Sequence, residues 1–125
     1  MRLLLDSHVL LWALTNSEEL KSGLKRVILS RDNNVVVSAA TVWEIAIKQQ
    51  LGKLRAPYNL LEAIEFCEFG SLSISPVHAL TAGRLPRHHD DPFDRLLVAQ
   101  ALIENFTLVT RDRRLAAYEV QIINA

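Results

Sequence analysis

The sequence predicts an α/β fold: an open parallel sheet of about five strands flanked by helices on both faces, in a Rossmann-like three-layer arrangement. Short runs rich in leucine or β-branched residues lack polar alternation, which is typical of parallel strands covered on both faces. Helix-length segments separate these runs, so the crossovers should be right-handed and the sheet parallel. The predicted strands are Arg2–Leu5, Val35–Ser38, Leu72–Ile74, Thr107–Thr110 and Val120–Ile123.

Capping residues set the expected helix ends. Ser38 is the predicted N-cap of Ala39–Leu51, and Gly52 follows its end. Pro at the first helical position indicates the start of two further helices, at Pro76 and Pro92. The expected helices are therefore Leu20–Leu29, Ala39–Leu51, Asn59–Phe69 closed by Gly70, Pro76 to about Arg84, and Pro92 to about Glu104.

Size and composition predict one globular domain spanning residues 1–125, since 50% of the chain is hydrophobic and 22% is charged. The single cysteine, Cys67, excludes an internal disulfide, and no apolar run approaches the ~18 residues of a membrane span. We therefore expect a cytoplasmic protein with no membrane contact. The 14 basic residues balance the 14 acidic ones, which permits binding to nucleic acid without arguing for it.

Four acidic residues are predicted to meet at the carboxyl edge of the sheet, where ligands bind in such folds. Asp6 follows the first strand and Asp112 lies two residues after the fourth. Asp94 is in the first turn of the helix that precedes the fourth strand, and Glu44 is about one and a half turns into the helix after the second. With these four set aside, the remaining charged residues carry a net charge of +4.

Carboxylates gathered in this way repel one another, by roughly 3 kcal/mol for a pair ~6 Å apart at an effective dielectric near 20. A hard divalent cation removes this repulsion, and oxygen ligands suit Mg²⁺ or Mn²⁺. Such a cation can acidify a bound water and stabilise the leaving oxygen of a phosphodiester. The adjacent pair His88-His89 lacks the spacing expected of a zinc site.

The motifs around these acids resemble the PIN-domain nucleases, and above all the VapC-type toxins of bacterial toxin–antitoxin pairs. The motifs are Asp6-Ser7, Trp43-Glu44, Asp91-Pro92-Phe93-Asp94-Arg95 with Ala99-Gln100-Ala101 downstream, and Leu108-Val109-Thr110-Arg111-Asp112. Their order and spacing cover essentially the whole chain.

The resemblance implies a PIN-like fold and a metal-dependent endoribonuclease. It implies that Asp6, Asp94 and Asp112 bind Mg²⁺ or Mn²⁺ directly or through water, and that Glu44 binds the metal or positions the attacking water. It implies that the hydroxyls of Thr110 and Ser7 hold the acids in place. It further implies an RNA substrate, products with 5′-phosphate and 3′-hydroxyl ends, a homodimer and a cognate antitoxin partner.

Each acid also has a structural interpretation. Asp6, Asp91 and Asp112 are placed to cap helices, and the Asp94 carboxylate suits a helix N-terminus. Asp91 is most simply a cap, although it competes with Asp94 for the metal. Glu44 has Lys48 four residues on, which predicts an ion pair. Capping cannot explain Glu44, which lies too deep in its helix.

The remaining candidates are arginines near the acids and an apolar face of one predicted helix. Arg95 and Arg111 adjoin the acids and are candidate contacts for substrate phosphate. Trp43, Ile47 and Leu51, spaced i, i+4, i+8, favour helix packing over base stacking. The alternative function is a non-catalytic PIN-like binding or regulatory module. A phospho-receiver is disfavoured because the third and fifth strands are not followed by the required Asp and Lys.

Overall fold

A computed structural model describes residues 1–125 and contains one five-stranded sheet, in which every pair of neighbouring strands is parallel. The strands are β1 Arg2–Leu5, β2 Asn34–Ser38, β3 Gly70–Leu72, β4 Thr107–Thr110 and β5 Ile122–Asn124, in the spatial order β3-β2-β1-β4-β5. The helices are α1 Ser7–Leu14, α2 Ser22–Leu29, α3 Ala39–Gln50, α4 Leu60–Phe66, α5 Pro76–Arg84 and α6 Pro92–Glu104, with a 3₁₀ turn at Arg113–Ala117. The predicted α/β class and parallel sheet are confirmed.

The sheet has a hydrophobic core on each face because successive side chains of a strand point to opposite sides. In β1, Leu3 and Leu5 belong to one core and Leu4 to the other, and all three are fully buried. The first core contains side chains of α1, α2 and α4, and the second contains the buried face of α6. This two-sided burial explains the absence of polar alternation in the strands.

The helix ends follow the capping residues. Ser38 accepts a hydrogen bond from the Ala40 N–H at the start of α3, and α5 and α6 begin at their prolines as predicted. Gly52, after the end of α3, has a φ of 70°. Asn105 takes the left-handed conformation that ends α6, with a φ of 60°.

The third strand lies two residues earlier than predicted, at Gly70–Leu72 in place of Leu72–Ile74. Helix α4 ends at Phe66, and Glu68, with a φ of 60°, makes the turn expected of Gly70. Gly70 instead belongs to the strand, where a Cβ would come within 3.2 Å of the Val36 side chain in β2. The glycine therefore marks a close approach of strands and not a helix end.

Two further predictions need correction. The last strand is Ile122–Asn124, not Val120–Ile123, because Val120 packs into the second core from the connection that follows the 3₁₀ turn. The packing prediction for Trp43, Ile47 and Leu51 is wrong for two of the three, since Trp43 is 59% and Leu51 61% exposed, whereas Ile47 is half-buried. Trp43 instead meets Phe93 edge to face, with ring centroids 5.4 Å apart.

The topology defines where a ligand site would lie. Strand order reverses between β1 and β4, and the crevice outside the carboxyl ends of these two strands is the usual ligand position in open α/β sheets. Both strands end at aspartate-bearing segments, Asp6 after β1 and Asp112 after β4. None of the helices is long and apolar enough to cross a membrane.

Candidate active site

A cavity of about 350 Å³ opens at this crevice, and none of the ten residues that line it is hydrophobic. All four predicted acids lie there. The lining residues are Asp6, Ser7, His8, Glu44, Lys48, Asp91, Asp94, Arg111, Asp112 and Arg114. Two larger cavities, of about 560 and 590 Å³, lie elsewhere and are lined mainly by apolar side chains. The carboxylate cavity is therefore the candidate site on chemical grounds, not by size.

Asp6 has both of the roles considered for it. Its Oδ1 accepts a hydrogen bond of 2.9 Å from the Val9 N–H, which caps α1, and the side chain lines the cavity. Burial raises the pKa of Asp6 above its ordinary value, while the Thr110 hydroxyl and the Val9 N–H lower it. Asp6 therefore caps α1, but capping does not explain why this buried acid also faces other acids in the cavity.

Asp94 lies in surroundings that disfavour its charged form. Burial, followed by the negative charges of Asp91 and Glu44, raises the pKa of Asp94 to about 7. Asp91 caps α6 as predicted, because its Oδ1 accepts hydrogen bonds from the Phe93 and Asp94 N–H groups. The Asp91 side chain also lines the cavity, so it remains beside Asp94 as a candidate ligand.

Glu44 is 3% exposed and extends from α3 toward the other acids. Its Oε2 accepts a hydrogen bond of 2.7 Å from Lys48 Nζ, the predicted i,i+4 ion pair. That hydrogen bond raises the pKa of Lys48. An uncompensated buried carboxylate is costly, so Lys48 offsets part of the charge that Glu44 brings into the cavity.

Asp112 is held by more donors than the other acids. Its Oδ1 accepts hydrogen bonds from the Arg114 backbone N–H and Nε, and its Oδ2 from Arg114 Nη2 and His89 Nε2. The Arg114 guanidinium holds the pKa of Asp112 well below its usual range. A carboxylate offers about four lone-pair sites, so direct metal binding by Asp112 requires the exposed Arg114 side chain to move away.

His89 is the site residue that the sequence reasoning missed. Its buried imidazole places Nε2 2.8 Å from Asp112 Oδ2 and 3.3 Å from Asp94 Oδ2. The ligand atoms of His89, Asp94 and Asp112 all lie within 4.8 Å of one another. The only available signal was the polar run from His88 to Asp91, in which nothing distinguishes the buried His89 from the exposed His88.

The other predicted residues divide into two groups. Ser7 and Arg111 line the cavity, and Thr110 lies beneath it, where its hydroxyl accepts a hydrogen bond from the Asp112 N–H. Arg111 is exposed, with its Nη2 3.2 Å from His8 Nε2. It remains available for a phosphate contact.

Arg95 requires a correction, because it does not line the cavity. Its Nη2 donates to the carbonyls of Ala82 and Leu85, and its Nη1 lies within 3.3 Å of the carbonyls of Pro86 and His89. The planar guanidinium thus fastens the loop before α6 to the end of α5. Arg95 shapes the site from behind and is not placed to contact substrate.

The donor chemistry fits a hard divalent cation. Glu44 Oε1, Asp91 Oδ2 and Asp94 Oδ1 accept no hydrogen bond from the protein, although each of these side chains lines the cavity. Burial first, and then the negative charges of Asp91 and Glu44, raise the pKa of Asp94, which is the effect expected where acids outnumber nearby cations. Free carboxylate oxygens in excess of nearby cations are the ligand set preferred by Mg²⁺ and Mn²⁺.

Comparison with known proteins identifies the family. The PIN domain family model matches residues 3–121 of the 125. The chain belongs to the PIN domain family. This PIN domain is 30% identical over 118 residues to Ribonuclease VapC22 of Mycobacterium tuberculosis, a match that covers 92% of this chain and 90% of that protein. The predicted resemblance to VapC-type PIN domains is thereby confirmed.

Solved structures share the fold of this PIN domain. VapBC2 from Rickettsia felis, bound to a DNA fragment from its promoter, superposes with a TM-score of 0.74 at 15% identity, covering 99% of this chain and 98% of that chain. VapBC-5 from Mycobacterium tuberculosis, a member of the VapBC family of toxin–antitoxin systems, gives 0.65 at 19% identity, with coverages of 99% and 98%. At these identities the likeness extends to the fold alone.

Proposed function

We propose that this PIN domain is a metal-dependent endoribonuclease that hydrolyses RNA phosphodiester bonds at the cluster of Asp6, Glu44, Asp94 and Asp112. One observation carries the proposal: these four acids, from four separate chain segments, line one cavity without a hydrophobic residue. Membership of the PIN family and the 30% identity to a protein named as a ribonuclease support the same activity.

In this proposal, Asp6 and Asp94 would hold Mg²⁺ or Mn²⁺, with Asp112 close by and Asp91 as an additional oxygen ligand. The bound cation supplies an acidified water and stabilises negative charge on the phosphate and the leaving oxygen. Asp6 is fixed by its capping bond to Val9 and by the Thr110 hydroxyl. These contacts present the Asp6 carboxylate to the cavity in one orientation.

Glu44 acts on the attacking water in this scheme. One carboxylate oxygen is engaged by Lys48 at 2.7 Å, and the other has no protein donor. The free oxygen can therefore orient a water and accept its proton as the water attacks phosphorus in line with the leaving oxygen. The P–O3′ bond breaks as the new P–O bond forms, and the released 3′ oxygen takes a proton from solvent water to give the 3′-hydroxyl. Arg111, exposed at the cavity rim, is the proposed contact for a substrate phosphate.

The test is cleavage of total cellular RNA by the purified protein with Mg²⁺ or Mn²⁺, with added EDTA as one control. Asp6→Asn is the critical variant because asparagine caps a helix as well as aspartate does but carries no charge. We expect that Asp6→Asn lowers cleavage by at least about 100-fold. Asp90→Asn, at an aspartate whose side chain is 83% exposed, should cleave like the wild type. The products should carry 5′-phosphate and 3′-hydroxyl ends.

Cleavage that persists both in EDTA and in Asp6→Asn would refute the metal–carboxylate mechanism. The alternative function, a non-catalytic PIN-like module, predicts that the folded protein binds RNA without cutting any pool offered. Direct binding measured alongside cleavage separates these two functions.

We also propose that the protein is the toxin of a toxin–antitoxin pair, acts in the cytoplasm, and assembles with an antitoxin and with a second copy of itself. The antitoxin is supported by the common fold with VapBC proteins, and the cytoplasm by the single unpaired cysteine. A second copy is supported by large apolar side chains exposed on outer helices, among them Trp43, Val77 and Leu80. Light scattering on the purified chain, alone and co-expressed with the product of the adjacent gene, tests both partners.

A further inference from the structure

We propose that His89 is a positioning residue that orients the carboxylates of Asp94 and Asp112 toward the cation and is not itself a ligand. This inference rests on the cation site of the proposed function. Its basis is the position of His89 between the two acids, with Nε2 2.8 Å from Asp112 Oδ2 and 3.3 Å from Asp94 Oδ2. No other side chain forms a hydrogen bond or ion pair with both acids.

The opposite ring nitrogen determines what Nε2 can do. His89 Nδ1 lies 3.0 Å from the backbone nitrogen of Asp91, whose N–H points at it. A backbone N–H can only donate, so Nδ1 must be the acceptor and the ring proton must be on Nε2. Nε2 is then a hydrogen-bond donor to the two carboxylates, and it has no lone pair to offer a metal.

The rest of His89 is fixed just as firmly. Its backbone N–H donates to the Tyr118 hydroxyl at 3.2 Å, and its carbonyl accepts from Arg95 Nη1 at 3.3 Å. The Tyr118 hydroxyl in turn donates to the Pro86 carbonyl at 2.8 Å. Neither Arg95 nor Tyr118 lines the cavity, so their contacts hold the His89 backbone in place from behind the site.

This arrangement has a direct consequence for the acids. The His89 N–H faces Oδ2 of each carboxylate, and Asp94 Oδ1 is left without a protein donor. Residues that orient metal ligands in this way typically change metal affinity by roughly 10- to 100-fold when they are removed. The competing interpretation is that His89 binds the metal through Nε2. The short distances also allow this, since the ligand atoms of His89, Asp94 and Asp112 lie within 4.8 Å of one another.

Mn²⁺ binding in the absence of RNA, monitored by electron paramagnetic resonance, distinguishes a positioning residue from a nitrogen ligand. His89→Gln keeps an N–H donor near the position of Nε2, whereas His89→Leu removes it. We expect His89→Leu to bind Mn²⁺ roughly 10- to 100-fold more weakly, and His89→Gln to remain within about threefold of the wild type. His88→Leu, the same change at the exposed neighbouring histidine, should leave binding unchanged. Thermal unfolding of each metal-free variant monitors folding.

Three outcomes would overturn the proposal: unchanged binding in His89→Leu, equal loss in His89→Gln and His89→Leu, or hyperfine coupling of wild-type Mn²⁺ to a directly bound imidazole nitrogen. The spectrum decides the question even if His89→Leu fails to fold, since it uses the wild-type protein. Asp94→Asn tests the proposed function separately. If Asp94→Asn binds Mn²⁺ as tightly as the wild type, the cation site itself is refuted, whatever His89 does.

Discussion

Replacing Asp94 with asparagine should stabilise the metal-free protein, and the gain should grow with pH. The folded protein keeps the Asp94 proton up to about pH 7, because burial, Asp91 and Glu44 disfavour the charge, whereas 3.8 is the ordinary value. The folded state therefore binds more protons than the unfolded state between these values, and the stability of the wild type falls as pH rises through that window. A pKa near 7 in place of 3.8 corresponds to about 4 kcal/mol.

The measurement is urea unfolding in EDTA at about pH 5 and about pH 8, where the stability difference between variant and wild type should widen by roughly 3 kcal/mol. Asp90→Asn removes a charge from a side chain that is 83% exposed in the loop just before α6, so its difference from the wild type should not widen in this way. Added Mn²⁺ should stabilise the wild type and not Asp94→Asn. A difference that stays constant with pH would refute the argument that Asp94 is held in a repulsive cluster.

Three further predictions concern other parts of the site and its surroundings. The Kd for Mn²⁺ should rise about tenfold for each pH unit below about 7, because protons compete with the metal at Asp94, and titrations across that range check it. Arg95→Ala should lower the free energy of unfolding by roughly 3 kcal/mol, because the carbonyls of Ala82 and Leu85 lose their hydrogen-bond donor. Arg111→Ala should leave the free energy of unfolding unchanged and should reduce the salt dependence of RNA binding by about one counterion. Trp43→Ala should lower the free energy of unfolding, measured with a denaturant, by only about 1 kcal/mol, the value of the contact between Trp43 and Phe93. A decrease of about 3–5 kcal/mol would instead mean that the Trp43 ring is buried in solution.

The architecture was predictable because its signals are local. Leucine and β-branched runs mark the strands, and Ser38, Pro76 and Pro92 mark helix starts at the positions that the structure confirms. The errors arose where a local signal had two meanings. The sequence predicts a helix end at Gly70, but Gly70 is a strand residue that needs space beside Val36, and that neighbour is distant in sequence.

The candidate site was predictable in outline for a related reason. In a parallel α/β sheet, the residues just after strands and at helix starts share one edge, so the sequence alone places Asp6, Asp94 and Asp112 together. The capping bonds of Asp6, Asp91 and Asp112 were also predictable, since each of these aspartates directly precedes a helix or a 3₁₀ turn. Arg95 shows the limit: adjacency to Asp94 in sequence suggested a phosphate contact, but its side chain extends to the carbonyls at the end of α5.

The sequence alone determined the fold class, the sheet edge that carries the acids and the PIN family to which the chain belongs. Only the tertiary structure decided the surroundings of each acid. Burial and neighbouring acids raise the pKa of Asp94, hydrogen-bond donors surround Asp112, and His89 lies between Asp94 and Asp112. The physical reason is the sequence separation over which each interaction acts. Strand and helix signals act over a few residues, whereas the contact of His89 with Asp112 joins positions 23 residues apart and depends on the packing of the whole α6 side of the sheet.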